Sequence, residues 1–186
     1  LLFYALLLIW PSVLLSSSKI DKYNFSIQFS NLSIAKISAT INKNENKILY
    51  SIVSSSDGSL KRFYKFSSTI KGHSKRIKDK LFPSIYETFS SYKGKTRKSN
   101  VEWDNSNNVL KFKNTPKLDL KKVNKIPQNT IFNVLDPFTA LINTIDNLQL
   151  NNSCINKFRI FDGRRRYDLE MIELSLSLIH ISEPTR

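Results

Sequence analysis

The sequence predicts a mainly β domain in which a curved antiparallel sheet, a half-barrel, wraps one amphipathic α-helix. Three observations predict it. Apolar residues recur at every second position through a series of short segments from Tyr23 onward. The period changes once, to three and four, after Asp136-Pro137. Alternation then returns on both sides of an Asp162-Gly163 turn. Many strands, one helix and more strands fit a helix laid on an antiparallel sheet, not alternating βαβ units. No internal repeat is visible.

The first strand is the clearest: Tyr23, Phe25, Ile27 and Phe29 alternate with Asn24, Ser26 and Gln28. Leu32 and Ile34 continue a parity that breaks before Ile37, Ala39 and Ile41, which predicts a bulge near Ala35-Lys36. Lys47–Val53 reads as a third strand, ended by a tight turn at Asp57-Gly58. A fourth is expected over Leu60–Ile70, where Leu60, Tyr64, Phe66 and Ile70 share parity. Residues 72–83 read as a polar connection. Strands follow at Ile85–Tyr92, Lys98–Trp103 and Val109–Lys113, the last after a turn at Asp104–Asn108. Residues 114–130, charged and holding two prolines, read as loop.

Asp136 suits an N-cap, and Pro137 suits the first helical position, where its missing donor is no loss. Phe138, Leu141, Ile142, Ile145 and Leu148 then fall on one helical face, expected to lie on the sheet. Cys154–Phe161 and Arg166–Ile172 form the closing hairpin, because an Asp-Gly pair tolerates the positive φ its turn needs.

Three segments are expected along the chain: 1–18, 19–173 and 174–186. Residues 1–15 are an uncharged apolar block followed by Ser16-Ser17-Ser18. The block is shorter than the ~20 residues of a spanning helix. It matches the apolar region of a secretory signal peptide, without its Met and positive start. It is either cleaved near the serines or kept as an anchor, the chain's expected attachment to a membrane; no lipobox cysteine follows it. A buried helix is the alternative, which Pro11 disfavours. Residues 174–186 resemble the translation of a sequencing adapter, an expectation that sets His180 aside; an amphipathic strand is the other reading. Export to the periplasm or outer envelope, with the β domain cut short, is the resulting expectation.

The net charge of +14 sits in the middle segment. Lysine, isoleucine and asparagine are abundant and glycine numbers only 4, as AT-rich codons would produce. The lysines are spread over strands and no nucleic-acid motif accompanies them, so nucleic acid is not an expected partner. For an exported chain, a basic surface favours lipid headgroups or anionic wall polymers.

Catalytic chemistry is not expected. His73 in Lys71-Gly72-His73-Ser74-Lys75-Arg76 and the lone Cys154 are far apart in sequence, whereas a nucleophile needs a base in reach. One cysteine excludes an internal disulfide; Cys154 is either half of a missing pair or a small buried residue. No cluster suits a metal and no glycine loop suits a phosphate, so no cofactor is expected. The candidate binding residues are Arg164, Arg165 and Arg166 for an anionic headgroup, with Phe138, Leu141 and Ile142 for an apolar chain. The alternative is a solvated turn whose arginines pair with Asp162 or Asp168. Phe25, Phe29, Tyr64, Phe66 and Trp103 read as core, or else as the lining of a lipid cavity. Two functions follow: a non-catalytic binder of a lipid or other apolar ligand, or a structural and interaction protein contacting anionic polymers through its basic surface.

Leu81-Phe82-Pro83-Ser84-Ile85-Tyr86, Trp103-Asp104, Asp136-Pro137-Phe138-Thr139-Ala140-Leu141 and Phe161-Asp162-Gly163-Arg164-Arg165-Arg166-Tyr167-Asp168-Leu169 occur in this order. Over roughly residues 20–172 the chain resembles the bacterial exported family called domain of unknown function 3108. The specific parts are the Asp-Pro-x-x-Ala-Leu helix start and the Phe-Asp-Gly-Arg-x-x-Tyr hairpin. The resemblance implies export and no established activity. It also implies further strands and a further cysteine beyond the hairpin, so that a chain cut short by the adapter-like tail is expected to miss its last strands. By architecture it is similar to periplasmic half-barrel lipoprotein carriers, an analogy of fold alone.

Overall fold

The structure, a computed structural model, describes residues 19–29, 32–58, 60–117, 130–153 and 155–172. The expected signal segment, the adapter-like tail, Cys154 and most of the 114–130 loop lie outside the described residues. Seven strands form one antiparallel sheet in chain order: β1 (Lys19–Phe29), β2 (Leu32–Lys43), β3 (Lys47–Ser56), β4 (Phe66–Ile77), β5 (Lys80–Tyr92), β6 (Lys95–Trp103) and β7 (Val109–Thr115). A single helical turn, α1 (Leu60–Phe63), joins β3 to β4. The main helix, α2 (Pro137–Asn151), precedes a separate hairpin of β8 (Asn156–Phe161) and β9 (Arg166–Met171). The fold is mainly β with one main helix, as the period pattern predicts. The large sheet is open, neither closed nor strongly curled, so the half-barrel curvature is not reached.

Registers show which residues share a face, because directly paired residues point the same way. One rung crosses all seven strands: Asp21, Ile41, Tyr50, Gly72, Tyr86, Val101 and Phe112. This inner face carries the core. Ile41, Ile48, Tyr50, Leu81, Tyr86, Val101 and Trp103 pack with Ile131, Val134, Ile142 and Phe161. A smaller cluster of Leu135, Ala140 and Ile160 lies beneath Phe82, Phe158 and Leu169. The segment 131–135 links the two sheets: Ile131 C=O accepts from Val109 N–H of β7, and Leu135 joins β8. Its N–H donates to the Arg159 carbonyl at 2.8 Å and its own carbonyl accepts from Phe161 N–H at 2.9 Å.

Four sequence expectations are corrected. The bulge falls at Ile34, just before the expected Ala35-Lys36, since Ile27 pairs with Ala35 and Gln28 with Ser33. The fourth strand starts at Phe66, not Leu60, because 60–63 is helical. Residues 72–83 are no connection: β4 runs to Ile77, and β5 begins at Lys80. Their polar look arises because inner positions are small there, Gly72 under the Tyr50 ring and Ser74 bonded to Thr139. The loop expected from residue 114 begins after Thr115, where β7 ends.

The fifth expectation to change is the helix face. Asp136 caps α2 as predicted, its carboxylate accepting from the N–H groups of Phe138 and Thr139 at 2.9 Å each. The buried side, however, is Thr139, Ala140, Ile142 and Thr144. Of the expected stripe, Ile142 is buried and Phe138 half-buried, while Leu141, Ile145 and Leu148 are 40%, 43% and 46% exposed. Hydrogen bonds set this rotation. Thr139 bonds Ser74 at 2.6 Å, and the Asn143 amide both accepts from Leu81 N–H and donates to Leu81 C=O.

Candidate functional site

The chemistry-bearing groups nearest the centre form a buried polar knot. Tyr50 lies across Gly72, where an added Cβ would sit 2.0 Å from the phenol ring and oxygen, so only glycine leaves room. The Tyr50 hydroxyl thereby reaches over β4 and donates to Asp136 Oδ1 at 2.7 Å. Thr139 Oγ1 donates to Asp136 Oδ2 and shares a hydrogen bond with Ser74 Oγ. Burial raises the Asp136 carboxyl above the usual range, against the lowering effect of its hydrogen bonds to Thr139 and Tyr50. Burial likewise pushes the Tyr50 phenol far up, reinforced by the Asp136 charge. A catalytic acid would need an open path to substrate. Here both carboxylate oxygens are engaged and Asp136 is fully buried, so the knot anchors α2 to the sheet.

The residues expected at an anionic-headgroup site are placed individually. Asp162 Oδ1 accepts from Arg164 N–H and Arg165 N–H at 2.7 and 2.6 Å, shaping the turn. The Arg164 guanidinium donates to the main-chain carbonyls of Lys98 and Thr115 at 3.2 and 3.4 Å. Arg166 forms a two-pronged pair with Asp168, at 3.0 and 3.3 Å. Arg165 is exposed. The turn is seated against β6, since a Cβ on Gly163 would lie 2.0 Å from Ser99 Oγ. Phe138, by contrast, packs against Tyr50 with the rings tilted by 40° and their centroids 4.3 Å apart, and Ile142 is in the same core. Leu141 faces outward. Arg164 and Arg166 are therefore held at the hairpin and the β6–β7 end, Phe138 and Ile142 pack in the core against Tyr50, and Arg165 and Leu141 face outward, so the six residues do not form one site.

His73 points to the outer face of the sheet, paired with Leu49 and Ile85. Burial and the nearby Lys47 lower its proton affinity. Among the described residues no group of three His, Cys, Asp or Glu side chains could hold a metal ion. No helix among them is long and apolar enough to cross a membrane.

The outer face carries what motif reading missed. Two adjacent rungs, Lys71–Glu87–Asn100–Lys113 and Thr69–Phe89–Lys98–Thr115, surround a recess of about 560 Å3. Lys71, Lys98 and Lys113 are exposed, and among the described residues none is ion-paired. Glu87 is the recess's one carboxylate, and it accepts from Asn100 Nδ2 at 2.9 Å. Elsewhere on this face Lys111 pairs with Glu102 at 2.9 Å and Lys36 with Asp57 at 3.1 Å, while Lys22, Lys47 and Lys75 have no ion pair among the described residues. In sequence the three lysines are isolated, one each on β4, β6 and β7, and they became a site only once registers were known.

No curated protein and no solved structure matches the chain. The family model described as "Protein of unknown function (DUF3108)" matches residues 22–175. That span takes in all of the sheet but the first three residues of β1, with the capped helix and the Asp-Gly hairpin, and the chain belongs to the DUF3108 family.

Proposed function

We propose that this chain is a non-catalytic interaction protein of the bacterial envelope, exported to the periplasm or outer surface, that contacts anionic polymers through the outer face of its sheet. The observation carrying this reading is the recess with three exposed lysines, Lys71, Lys98 and Lys113, that have no ion pair among the described residues, against one carboxylate; Lys98 also lies over the Phe89 ring at 5.5 Å. Exposed cations on a rigid sheet attract a polyanion without ordering a loop, and their effect is screened by salt. Sedimentation of the full chain with dextran sulfate tests it. Binding should weaken as sodium chloride rises and fall sharply in the Lys71→Ser, Lys98→Ser, Lys113→Ser triple variant. Equal binding by the triple variant would sink the reading.

A second reading, binding of a lipid or other apolar ligand, has its own support. Tyr23, Phe25 and Ile27 share the inner face with Ala39, Ile37 and Ala35, yet all three are more than two-fifths exposed. Leu141, Ile145 and Leu148 are open as well. Displacement of a fluorescent fatty acid by full-length wild type but not by Phe25→Ser would favour it; no uptake by wild type would remove it.

A further inference from the structure

A second concavity is larger than the lysine recess. It is a cleft of about 770 Å3 between the start of β5, the C-terminal half of α2, the 133–135 segment and the β8–β9 hairpin. That volume lies within the ~300–1,000 Å3 of small-ligand pockets. Its lining is unusual in one respect: six of its side chains are asparagine amides, at 107, 133, 143, 147, 151 and 156. Asn143, Asn147 and Asn151 stand at intervals of four on one face of α2. Three of the six amides are tied to the fold. Asn143 pairs with the Leu81 main chain, Asn147 donates to Ser153 C=O, and Asn151 donates to Asn147 Oδ1.

Two amide atoms are left over. Asn107 is 5% exposed, and its Oδ1 has no hydrogen-bond partner although its Nδ2 donates to Asn133 Oδ1 at 3.3 Å. Asn156 Nδ2 is also buried without a partner. A buried polar atom left unpaired costs about 1–3 kcal/mol, so one orphaned acceptor and one orphaned donor in the same cleft point to a partner supplying both. The cleft is nearly balanced in charge, with Asp79 and Asp168 against Lys80, Lys157 and Arg159, so it does not select a polyanion. Phe82 and Phe158, both half-buried, add apolar ring surface to the lining.

We infer that this cleft binds a neutral, polyhydroxylated ligand, a short stretch of glycan. A sugar hydroxyl both donates and accepts, so the hydroxyls along one glycan can serve both an amide oxygen and an amide N–H. The C–H face of a pyranose ring suits a phenyl surface. A lipid tail would leave both orphaned amide atoms unpaired, and a fully ionised anion, which only accepts, would leave the Asn107 amide oxygen without a donor. The site is separate from the lysine recess, so either can fail alone.

The test is a titration of the 15N-labelled full chain with chitotetraose and, separately, maltotetraose, followed by amide NMR shifts. Saturable shifts at Asn107, Asn133, Asn156 and Phe158 are expected with at least one, at a Kd around 1 mM or tighter. They should persist at high salt, and Asn156→Ala should weaken binding about tenfold by removing one hydrogen bond. The wild-type shift map decides the matter even if that variant folds poorly. No saturable shift with either sugar up to about 20 mM would overturn the inference. So would shifts confined to Lys71, Lys98 and Lys113, or a folded Asn156→Ala protein that binds as tightly as wild type.

Discussion

The two faces of the large sheet are built from alternate residues of the same strands, yet they use polar groups in opposite ways. On the inner face Tyr50, Ser74, Asp136 and Thr139 are bound to one another, and Gly72 is kept bare so that they can meet. One residue along, on the outer face, Lys71 has no ion-pair partner among the described residues, and neither do Lys98 and Lys113. A polar group bound internally sets geometry; one left exposed remains available to a partner. Changes to the inner face should therefore appear as stability, and changes to the outer recess as binding.

The largest expected effect comes from Asp136→Ala. It removes the N-cap, worth about 1 kcal/mol, and leaves the buried Tyr50 hydroxyl unpaired, worth about 1–3 kcal/mol more. Urea denaturation should show a loss of about 3 kcal/mol in all. Asp136→Asn keeps an acceptor for Tyr50 and the cap, and should stay within about 1 kcal/mol of wild type. If the two variants were equally destabilised, the charge itself and not the bond network would hold the knot.

Next comes Gly72→Ala. The new methyl meets the Tyr50 ring, and overpacking of this kind costs about 1–3 kcal/mol. Shortening the ring in Gly72→Ala/Tyr50→Leu should restore part of the packing but not the bond to Asp136. Full recovery would mean that the Tyr50 hydroxyl contributes nothing.

A smaller, pH-dependent effect follows from the raised Asp136 carboxyl. Between the ordinary aspartate range, near 4, and the raised native value, the native state holds more protons than the unfolded chain. Stability from this group therefore falls as pH rises through that window. Asp57 and Asp104 are lowered, chiefly by hydrogen bonds to Ser33 and to the Asn108 main chain, and act in the opposite sense. The difference between Asp136→Asn and wild type isolates Asp136. It should move in favour of the asparagine variant as pH rises above about 4; a difference that is flat with pH would contradict the raised carboxyl. The smallest stability effect belongs to Lys71→Ser, Lys98→Ser and Lys113→Ser, each expected within about 0.5 kcal/mol.

Most of the architecture was legible from local pattern. The Tyr23–Phe29 alternation, the Asp136-Pro137 helix start and the Asp162-Gly163 turn act through neighbours in sequence, and all three are in place. What was not legible depends on long-range contacts. The β4–β5 hairpin was hidden because Lys78, not glycine or asparagine, takes the left-handed position at φ 54°. The rotation of α2 was hidden because Thr139 and Asn143 bond to specific partners on β4 and β5, which outweighs the apolar stripe. The basic residues show the same limit. Arg164–Arg166 is the densest charge in the sequence, but Arg166 pairs with Asp168 and Arg164 binds main-chain carbonyls. The three recess lysines, scattered over 42 positions of sequence, converge only through strand register.

That contrast between two basic clusters gives the most direct test. Binding of dextran sulfate to the full chain should be titrated at low salt for wild type, the triple lysine-to-serine variant at 71, 98 and 113, and a triple arginine-to-serine variant at 164, 165 and 166. Circular dichroism confirms that each is folded. The recess account predicts at least a roughly tenfold loss for the lysine variant and a change within about threefold for the arginine variant. The reverse order, with the arginine variant losing binding and the lysine variant keeping it, would contradict the account.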